Sequence, residues 1–153
     1  MTSIADILLP AHVNLQLVSK TFSDALRETL ARLAGDPRIG DSEAFAQAVM
    51  ERNAPAIVCH GHGIVIAHGR TNAVKSLIMA AGRSQSGLRS VDGASVRLIF
   101  VAGIPRTMDS EYLRIVGTLA RLCRDPALFQ SLLTVAEPMK FIEILTAQES
   151  KLS

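Results

Sequence analysis

The segment from Cys59 to Arg70 holds three of the four histidines in the chain and three of its ten glycines. Imidazole is both a nucleophile and a proton carrier near pH 7, and zinc accepts imidazole and thiolate as ligands. A histidine in such a place is nevertheless more often an ordinary surface residue or a hydrogen-bonded core residue. The density of histidine and glycine therefore makes this segment a candidate functional site. The alternative is that each of these histidines has only a structural role.

Metal binding is the weakest of the chemical interpretations. The possible ligands Cys59, His60, His62 and His68 follow the spacing Cys-His-x-His-x5-His, which matches no common structural zinc site. The glycines between them also make the segment pliable. We therefore predict that the protein uses no metal and no other cofactor, and zinc binding remains the lowest-ranked alternative.

Length and charge exclude several classes of protein. With 153 residues, 48% of them hydrophobic, the chain can bury one core but not two of ordinary size, so we predict a single domain, 1–153. The net charge of +2 lacks the basic excess of a small nucleic-acid-binding module. The chain shows no signal peptide and no apolar run near the roughly 18 residues of a transmembrane helix. We expect a cytoplasmic protein without membrane insertion, in which Cys59 and Cys123 are free thiols.

Helices are predicted in the first and last thirds of the chain. Apolar residues recur at helical spacing over Thr21–Ala34, and Ser42 begins a second helix that runs to about Arg52. An acidic turn begins a third helix, whose apolar stripe runs from Leu113 to Cys123. Two further helices each begin with an acidic residue followed by proline, at Asp125-Pro126 and Glu137-Pro138.

Strands are predicted in the middle of the chain, where short runs are apolar or β-branched. These runs are Ile64–Ile66, Val74–Ala80 and Val96–Val101. Because they are almost continuously hydrophobic, we expect them to be buried on both faces, with helices on each side. The sequence thus predicts an α/β single-domain sandwich in which helices flank both faces of a central β-sheet.

A family resemblance accounts for the clustering of histidine and glycine. The pattern Gly-x-Gly-Ile-x-Ile-x-His-Gly-Arg resembles the active-site signature of fructose-mannitol class IIA domains of the bacterial phosphotransferase system, including their nitrogen-regulatory relatives. Those proteins also have a Glu-Arg pair at the end of the second helix. The likeness in length and element order extends from about Ile4 to Ile144. The residues that carry it are Glu51, Arg52, Gly61, Gly63, Ile64, Ile66, His68, Gly69 and Arg70.

The resemblance implies a mixed β-sheet, and a site at which His68 accepts a phosphoryl group from a histidine-phosphorylated carrier protein. A phosphoryl group carries a charge of about −1.5 to −2 and needs hydrogen-bond donors. Arg52 and Arg70 are predicted to supply them, Arg52 the more important of the two, while Gly69 permits close approach of the backbone. The alternative for both arginines is a solvated position at the end of an element.

The chain departs from the family pattern around this predicted site. Near the start of the helix after the last strand the family has a second histidine, and Tyr112 stands there instead. A phenol donates one hydrogen bond but stays neutral near pH 7, so phosphotransfer should weaken. His62, which replaces an asparagine of the pattern, is a candidate to take over the role. The structural alternative for Tyr112 is a half-buried aromatic residue on the helix stripe.

Two functions follow as hypotheses. In the first, the protein is a phosphocarrier or regulatory protein of the phosphotransferase system, and a phosphohistidine phosphotransferase if active. It would pass the phosphoryl group to a IIB domain or use it as a signal, and the nitrogen-regulatory type is favoured because no membrane or IIB sequence accompanies the domain. In the alternative hypothesis, the protein is a IIA-like binding module that contacts a kinase or transporter. It would transfer phosphate weakly or not at all, because Tyr112 replaces the second histidine. The sequence leaves the sugar, the regulated target and the oligomeric state open.

Overall fold

A computed structural model shows helices packed around one β-sheet. The structure describes residues 3–51, 57–59, 63–89, 95–107, 109–122 and 124–151. The elements before the central strands are α1 (Ile4–Ile7), a 3₁₀ turn (Pro10–His12), β1 (Val13–Asn14), α2 (Phe22–Ala31) and α3 (Ser42–Glu51). The remaining elements are β2 (Ile57–Cys59), β3 (Ile64–Arg70), β4 (Ile78–Arg89), β5 (Ser95–Ile104), α4 (Asp109–Leu122), α5 (Pro126–Thr134) and α6 (Pro138–Lys151).

The five strands form one mixed sheet in the order β1-β4-β5-β3-β2. The pairs β1/β4 and β3/β5 are parallel, whereas β4/β5 and β2/β3 are antiparallel. The neighbouring strands β5 and β3 are buried along most of their length, which fits strands covered on both faces. The predicted α/β architecture with a mixed sheet is confirmed.

Two hydrophobic clusters lie on opposite faces of the sheet, because successive side chains of a strand point in opposite directions. On β3, Ile64 and Ile66 belong to the cluster under α1, α4, α5 and α6, whereas Val65 and Ala67 belong to the cluster under α2 and α3. The helices contribute buried side chains to these clusters, including Leu26, Phe45, Leu119 and Phe141. Helices therefore cover both faces, as predicted.

Several predicted boundaries were wrong. Val74–Ala80 is not one strand: Val74 lies in a turn and bridges Ile39, and β4 begins only at Ile78. The hydrophobic run reflects burial of the turn rather than strand pairing. From there β4 continues to Arg89 through polar residues, because hydrogen bonds to β5 hold its backbone whatever its side chains are. The two-residue strand β1 was not predicted, since two residues are too few to show a pattern.

The stripe predicted on α4 was also partly wrong. Leu113 is 66% exposed, and the buried positions of the helix include Tyr112, Ile115, Val116 and Leu119. The buried face of α4 therefore includes Tyr112 instead of Leu113. Asp125 does cap α5 as predicted, since its side chain accepts a hydrogen bond from the backbone N–H of Leu128 at 3.1 Å.

None of the helices in the described part of the chain is both long enough and apolar enough to span a bilayer.

A buried histidine lies beside α1, far along the chain from the candidate site. His12 is 5% exposed, and its Nε2 lies 3.2 Å from Oδ2 of Asp36. Asp36 also accepts hydrogen bonds from the backbone N–H and the Nε of Arg38, at 2.9 and 3.1 Å. Burial lowers the pKa of His12 below its ordinary value, although the Asp36 carboxylate opposes this effect.

We expect this histidine to make the free energy of unfolding depend on pH. Between the lowered pKa of folded His12 and the unfolded value of about 6.5, the unfolded chain binds more protons than the folded protein. Stability should therefore fall as the pH falls through that window. Urea unfolding at about pH 7.5 and about pH 5.5 measures the slope. The variant His12→Gln, which keeps a donor for Asp36, should show a smaller slope, and an unchanged slope would contradict the assignment.

Candidate functional site

His68 lies near the carboxyl end of β3, the strand next to β2 at one side of the sheet. It is partly exposed, and its register partner on the parallel strand β5 is Ala102. The period of two along a strand puts its side chain on the same face as Ile64 and Ile66, toward α4. A buried strand thus presents one imidazole at its end, where a partner molecule can reach it.

Tyr112 of α4 packs against this imidazole. The ring centroids of His68 and Tyr112 are 5.3 Å apart, with an angle of 47° between the ring planes. Tyr112 is 6% exposed, and its hydroxyl makes no hydrogen bond to any residue that the structure describes. The family pattern that pointed to Tyr112 therefore selected a residue that contacts His68 directly.

The electrostatic surroundings keep Tyr112 neutral. Burial raises the pKa of its hydroxyl to about 12, and the positive charge of Arg70 opposes this rise. Arg70 is the last residue of β3 and is exposed. It follows His68 by two positions and so lies on the same face of the strand. His68, Tyr112 and Arg70 thus form one group at the end of β3.

Gly69 faces the other way, toward α3. A Cβ atom at Gly69 would lie 2.8 Å from Cγ2 of Val49 and 3.3 Å from Cε1 of Phe45. Its register partner Gly103 on β5 is similarly covered, since a Cβ there would lie 3.0 Å from Cγ2 of Ile78 and 3.1 Å from Phe45. The glycine pair therefore lets α3 pack directly on the sheet. The sequence did not point to Gly103, because only the register of β3 with β5 places it beside Gly69. It marked Phe45 as an apolar position of its helix but could not show that its ring packs on this glycine pair.

Gly63, another glycine of the motif, shapes the entry into β3. Its φ of +77° lies in the left-handed region that favours glycine. Its carbonyl oxygen accepts hydrogen bonds from the backbone N–H groups of Arg97 and Leu98, at 2.8 and 3.0 Å. This turn fixes where the strand that carries His68 begins.

Other predicted site residues lie outside the described part of the chain. These are Arg52 and His62, together with His60; for Cys59 only the backbone, in β2, is described. Helix α3 ends at Glu51, immediately before Arg52. In the described ranges, no group of three His, Cys, Asp or Glu residues is arranged to hold a metal ion. The metal alternative that involves His60 and His62 is therefore not tested.

The family of the domain that carries His68, Tyr112 and Arg70 follows from a comparison with known protein families. Residues 6–148 match the model of a family described as "Phosphoenolpyruvate-dependent sugar phosphotransferase system, EIIA 2". The chain belongs to this family. The resemblance predicted from the motif around His68 is thereby confirmed, and phosphorylation of a histidine is general among EIIA proteins of this family.

Relatives of this EIIA domain include both sugar-specific and nitrogen-regulatory proteins. The chain is 24% identical over 148 residues to the PTS system fructose-specific EIIABC component of Bacillus subtilis. The match covers 95% of the chain but only 23% of that longer protein. The crystal structure of the nitrogen regulatory protein IIA-Ntr from Neisseria meningitidis has a TM-score of 0.84 and 25% identity, and the match covers 94% of the chain and 99% of that structure.

The fold of this EIIA domain is also similar to that of mannitol-specific proteins. The enzyme IIA of the Escherichia coli IIA-IIB mannitol complex matches with a TM-score of 0.72 and 17% identity, over 90% of the chain and 95% of that structure. In that complex the IIB protein is phosphorylated. At this identity the likeness concerns the fold alone.

Proposed function

We propose that His68 of this EIIA domain accepts a phosphoryl group from a histidine-phosphorylated carrier protein, then passes it to a IIB domain or holds it as a signal. The observation that carries this proposal is the placement of His68, partly exposed at the end of a buried strand and in ring contact with Tyr112. The strand and the ring of Tyr112 hold the imidazole on one side, and the other side is exposed to solvent. This placement suits a transient carrier, and we place the protein in the cytoplasm, where phosphoenolpyruvate-dependent transfer takes place.

The reacting atom we assign is Nε2 of His68. Nδ1 is buried, whereas the residue as a whole is partly exposed, so we assign the reaction to Nε2. A neutral imidazole with its proton on Nδ1 presents the lone pair of Nε2. As that lone pair forms the new N–P bond, the N–P bond of the donor breaks and its electron pair returns to the donor imidazole. No cofactor enters this step.

Arginine side chains support the transferred group in this proposal. Arg70 lies on the face of His68 and is close enough to Tyr112 to affect its pKa. A guanidinium there can donate charge-assisted hydrogen bonds to phosphoryl oxygens. Arg52 and His62 remain proposed members of the site. Gly69 has a packing role toward α3, and approach of the phosphoryl group to its backbone stays a prediction.

Incubation with phosphoenolpyruvate, the general phosphotransferase enzyme and its carrier protein tests this function. Intact mass spectrometry should show the added mass of one phosphoryl group, and the modification should be lost in acid, as expected for a phosphoramidate. Omitting the carrier should prevent the gain. A protein that gains no mass in the complete mixture would contradict the phosphocarrier proposal.

Arg52→Ala should slow phosphotransfer more than Arg70→Ala does. Arg52 belongs to the Glu-Arg pair that matches the family most closely, whereas Arg70 is exposed at the end of β3. Loss of a charge-assisted hydrogen bond of about 1.5 to 3 kcal/mol would slow transfer by roughly 10-fold or more. Rates of phosphoryl gain from the phosphorylated carrier measure the order. Equal rates for the two variants would remove the ranking.

The nitrogen-regulatory type is our preferred assignment within the family. The match to the Neisseria IIA-Ntr structure, with the higher TM-score and identity, supports it over the mannitol type. The phosphorylated protein can be mixed with purified IIB domains specific for fructose and for mannitol. We expect no transfer to either domain, and rapid transfer to one of them would assign the protein to sugar transport.

A second candidate function is a IIA-like regulatory module that binds a kinase or transporter and transfers phosphate poorly. The observation in its favour is Tyr112, a buried and neutral group where the family has a second histidine. The mass measurement distinguishes the two functions, since a module of this kind would gain little or no mass. Its partner binding should also be the same with and without phosphoenolpyruvate.

A further inference from the structure

A polar cleft of about 470 Å³ lies away from His68, between the start of the sheet and the helices α5 and α6. Its charged lining residues are both cations, Arg32 and Arg83, and no carboxylate of the described residues lines it. Neutral polar side chains complete the lining, namely Asn14, Gln16 and Thr134. The cleft is thus positive and rich in hydrogen-bond donors.

Arg83 is the buried cation of this cleft. It is 5% exposed, and its Nε donates to the carbonyl oxygen of Leu15 at 3.1 Å. Its Nη1 donates to the carbonyl oxygens of Leu132 and Val135, at 3.1 and 2.7 Å. These carbonyls lie at the carboxyl end of α5, so the guanidinium also caps that helix. Packing and backbone contacts therefore hold the side chain in one position.

The charge of Arg83 has no carboxylate counter-ion among the described residues. Its Nη2 lies 3.1 Å from the side-chain oxygen of Gln85, in the amide orientation that satisfies both groups, and Gln85 is neutral and exposed. Burial lowers the pKa of Arg83, and the positive charge of Arg97 nearby lowers it further. Buried cations are usually paired with a carboxylate or another anion. Carbonyl oxygens accept from Nε and Nη1, and the Gln85 amide oxygen accepts from Nη2, which carries two hydrogens. One N–H of Arg83 is therefore left for a ligand, and the cleft keeps a net positive charge.

Glu28, which is hydrogen-bonded to the lining residue Asn14, does not fill this role. It lies behind Asn14, whose Nδ2 donates to Oε2 of Glu28 at 3.2 Å. The carboxylate oxygens also accept from the backbone N–H groups of Val18 and Ser19 and from the Ser19 hydroxyl. The carboxylate of Glu28 therefore binds the loop before α2 and does not neutralise Arg83.

The cleft is separate from the proposed phosphorylation site. The register places Met79 of β4 and Ala102 of β5 in one row with His68. Arg83 is four residues further along β4, which is roughly 13 Å at the rise of a strand. An anion bound beside Arg83 therefore does not contact the imidazole.

We propose that this cleft binds a small oxyanion, either a carboxylate or a phosphate, between the guanidinium groups of Arg32 and Arg83. Arg83 provides the fixed charge. Arg32 follows the last turn of α2, is exposed at the edge of the cleft and forms no ion pair with the described residues. Two guanidinium groups recognise the oxygens of such an anion through charge-assisted hydrogen bonds.

The test is a titration of the whole chain followed by ¹⁵N–¹H NMR. Inorganic phosphate and succinate are added in separate arms, and sodium chloride at matched ionic strength is the control. We expect at least one oxyanion to cause saturable shifts in the backbone amides around Asn14–Gln16, Arg83 and Val135–Met139. The arm with the tighter binding identifies the anion as phosphate or carboxylate. Repeating the titration with His68→Ala separates this binding from phosphate binding at the proposed site.

Arg32→Ala is the deciding variant, because Arg83 also caps α5 and its replacement could unfold the protein. Removing one charge-assisted contact should weaken binding about fivefold. Arg27→Ala removes an exposed arginine within α2 that does not line this cleft, and this variant should bind the anion as the unchanged protein does. The proposal is overturned if neither oxyanion gives saturable shifts at these amides, or if the Arg32 and Arg27 variants bind equally well.

Discussion

The variant His68→Ala is expected to gain no phosphoryl group from the phosphorylated carrier under conditions in which the unchanged protein is fully modified. Alanine has no nitrogen to form the N–P bond, and no other described histidine lies at the end of a strand. The fold should persist, because His68 is partly exposed and the neighbouring backbone still pairs with β5. Intact mass spectrometry measures the gain, and circular dichroism with thermal unfolding checks the fold.

A second histidine variant serves as the matched control for this experiment. His12→Gln removes the buried histidine beside Asp36, on a different part of the fold. It should be modified at the same rate as the unchanged protein. If His68→Ala still gained one phosphoryl group, the site would have to move to another residue, with His60 and His62 as the next candidates.

Tyr112→His should speed phosphotransfer about five- to tenfold. The ring of Tyr112 contacts the imidazole of His68, so a histidine there can reach a phosphoryl group on Nε2. A protonated imidazole would add a charge-assisted hydrogen bond, whereas the phenol, with its pKa raised to about 12, stays neutral. About 1 kcal/mol of additional transition-state stabilisation corresponds to roughly fivefold in rate. Single-turnover transfer from the phosphorylated carrier gives the rates.

Two companion variants define what this result means. Tyr112→Phe keeps the packing against His68 and removes only the hydroxyl, so it should be no faster than the unchanged protein. His62→Asn combined with Tyr112→His should keep most of the gain, provided that His62 does not already supply the second imidazole. Absence of any acceleration in Tyr112→His would show that this position no longer takes part in transfer.

Local patterns in the sequence were enough to predict the helices and the layered arrangement. The spacing of apolar residues located α2 and α3, and Asp125 followed by proline located the start of α5. Such signals are local, because a helix or a cap depends on residues only a few positions apart. What depended on pairing with distant strands was missed or misplaced, notably β1 and the second half of β4.

The candidate site shows the same division between local and distant information. The motif around His68 pointed to the reacting residue, and the family pattern pointed to Tyr112, which the structure brings into contact with it. The packing role of Gly69 could not be predicted, because it arises from Phe45 and Val49 of a helix that precedes it by some twenty residues. The roles of Arg52 and His62 remain predictions, since both lie outside the described residues.

The glycine pair of the central strands also limits how this domain can change through evolution. A Cβ at Gly69 would crowd Val49 and Phe45, and a Cβ at Gly103 would crowd Ile78 and Phe45. A substitution at either glycine therefore requires Phe45 and a second neighbour to move or become smaller, and a smaller residue at 45 leaves a cavity while both glycines remain. Each single step along that route is unfavourable, so we expect these packed positions to change together. We therefore expect the distance between α3 and the strand that carries His68 to change slowly in evolution, even where surface residues around the site diverge.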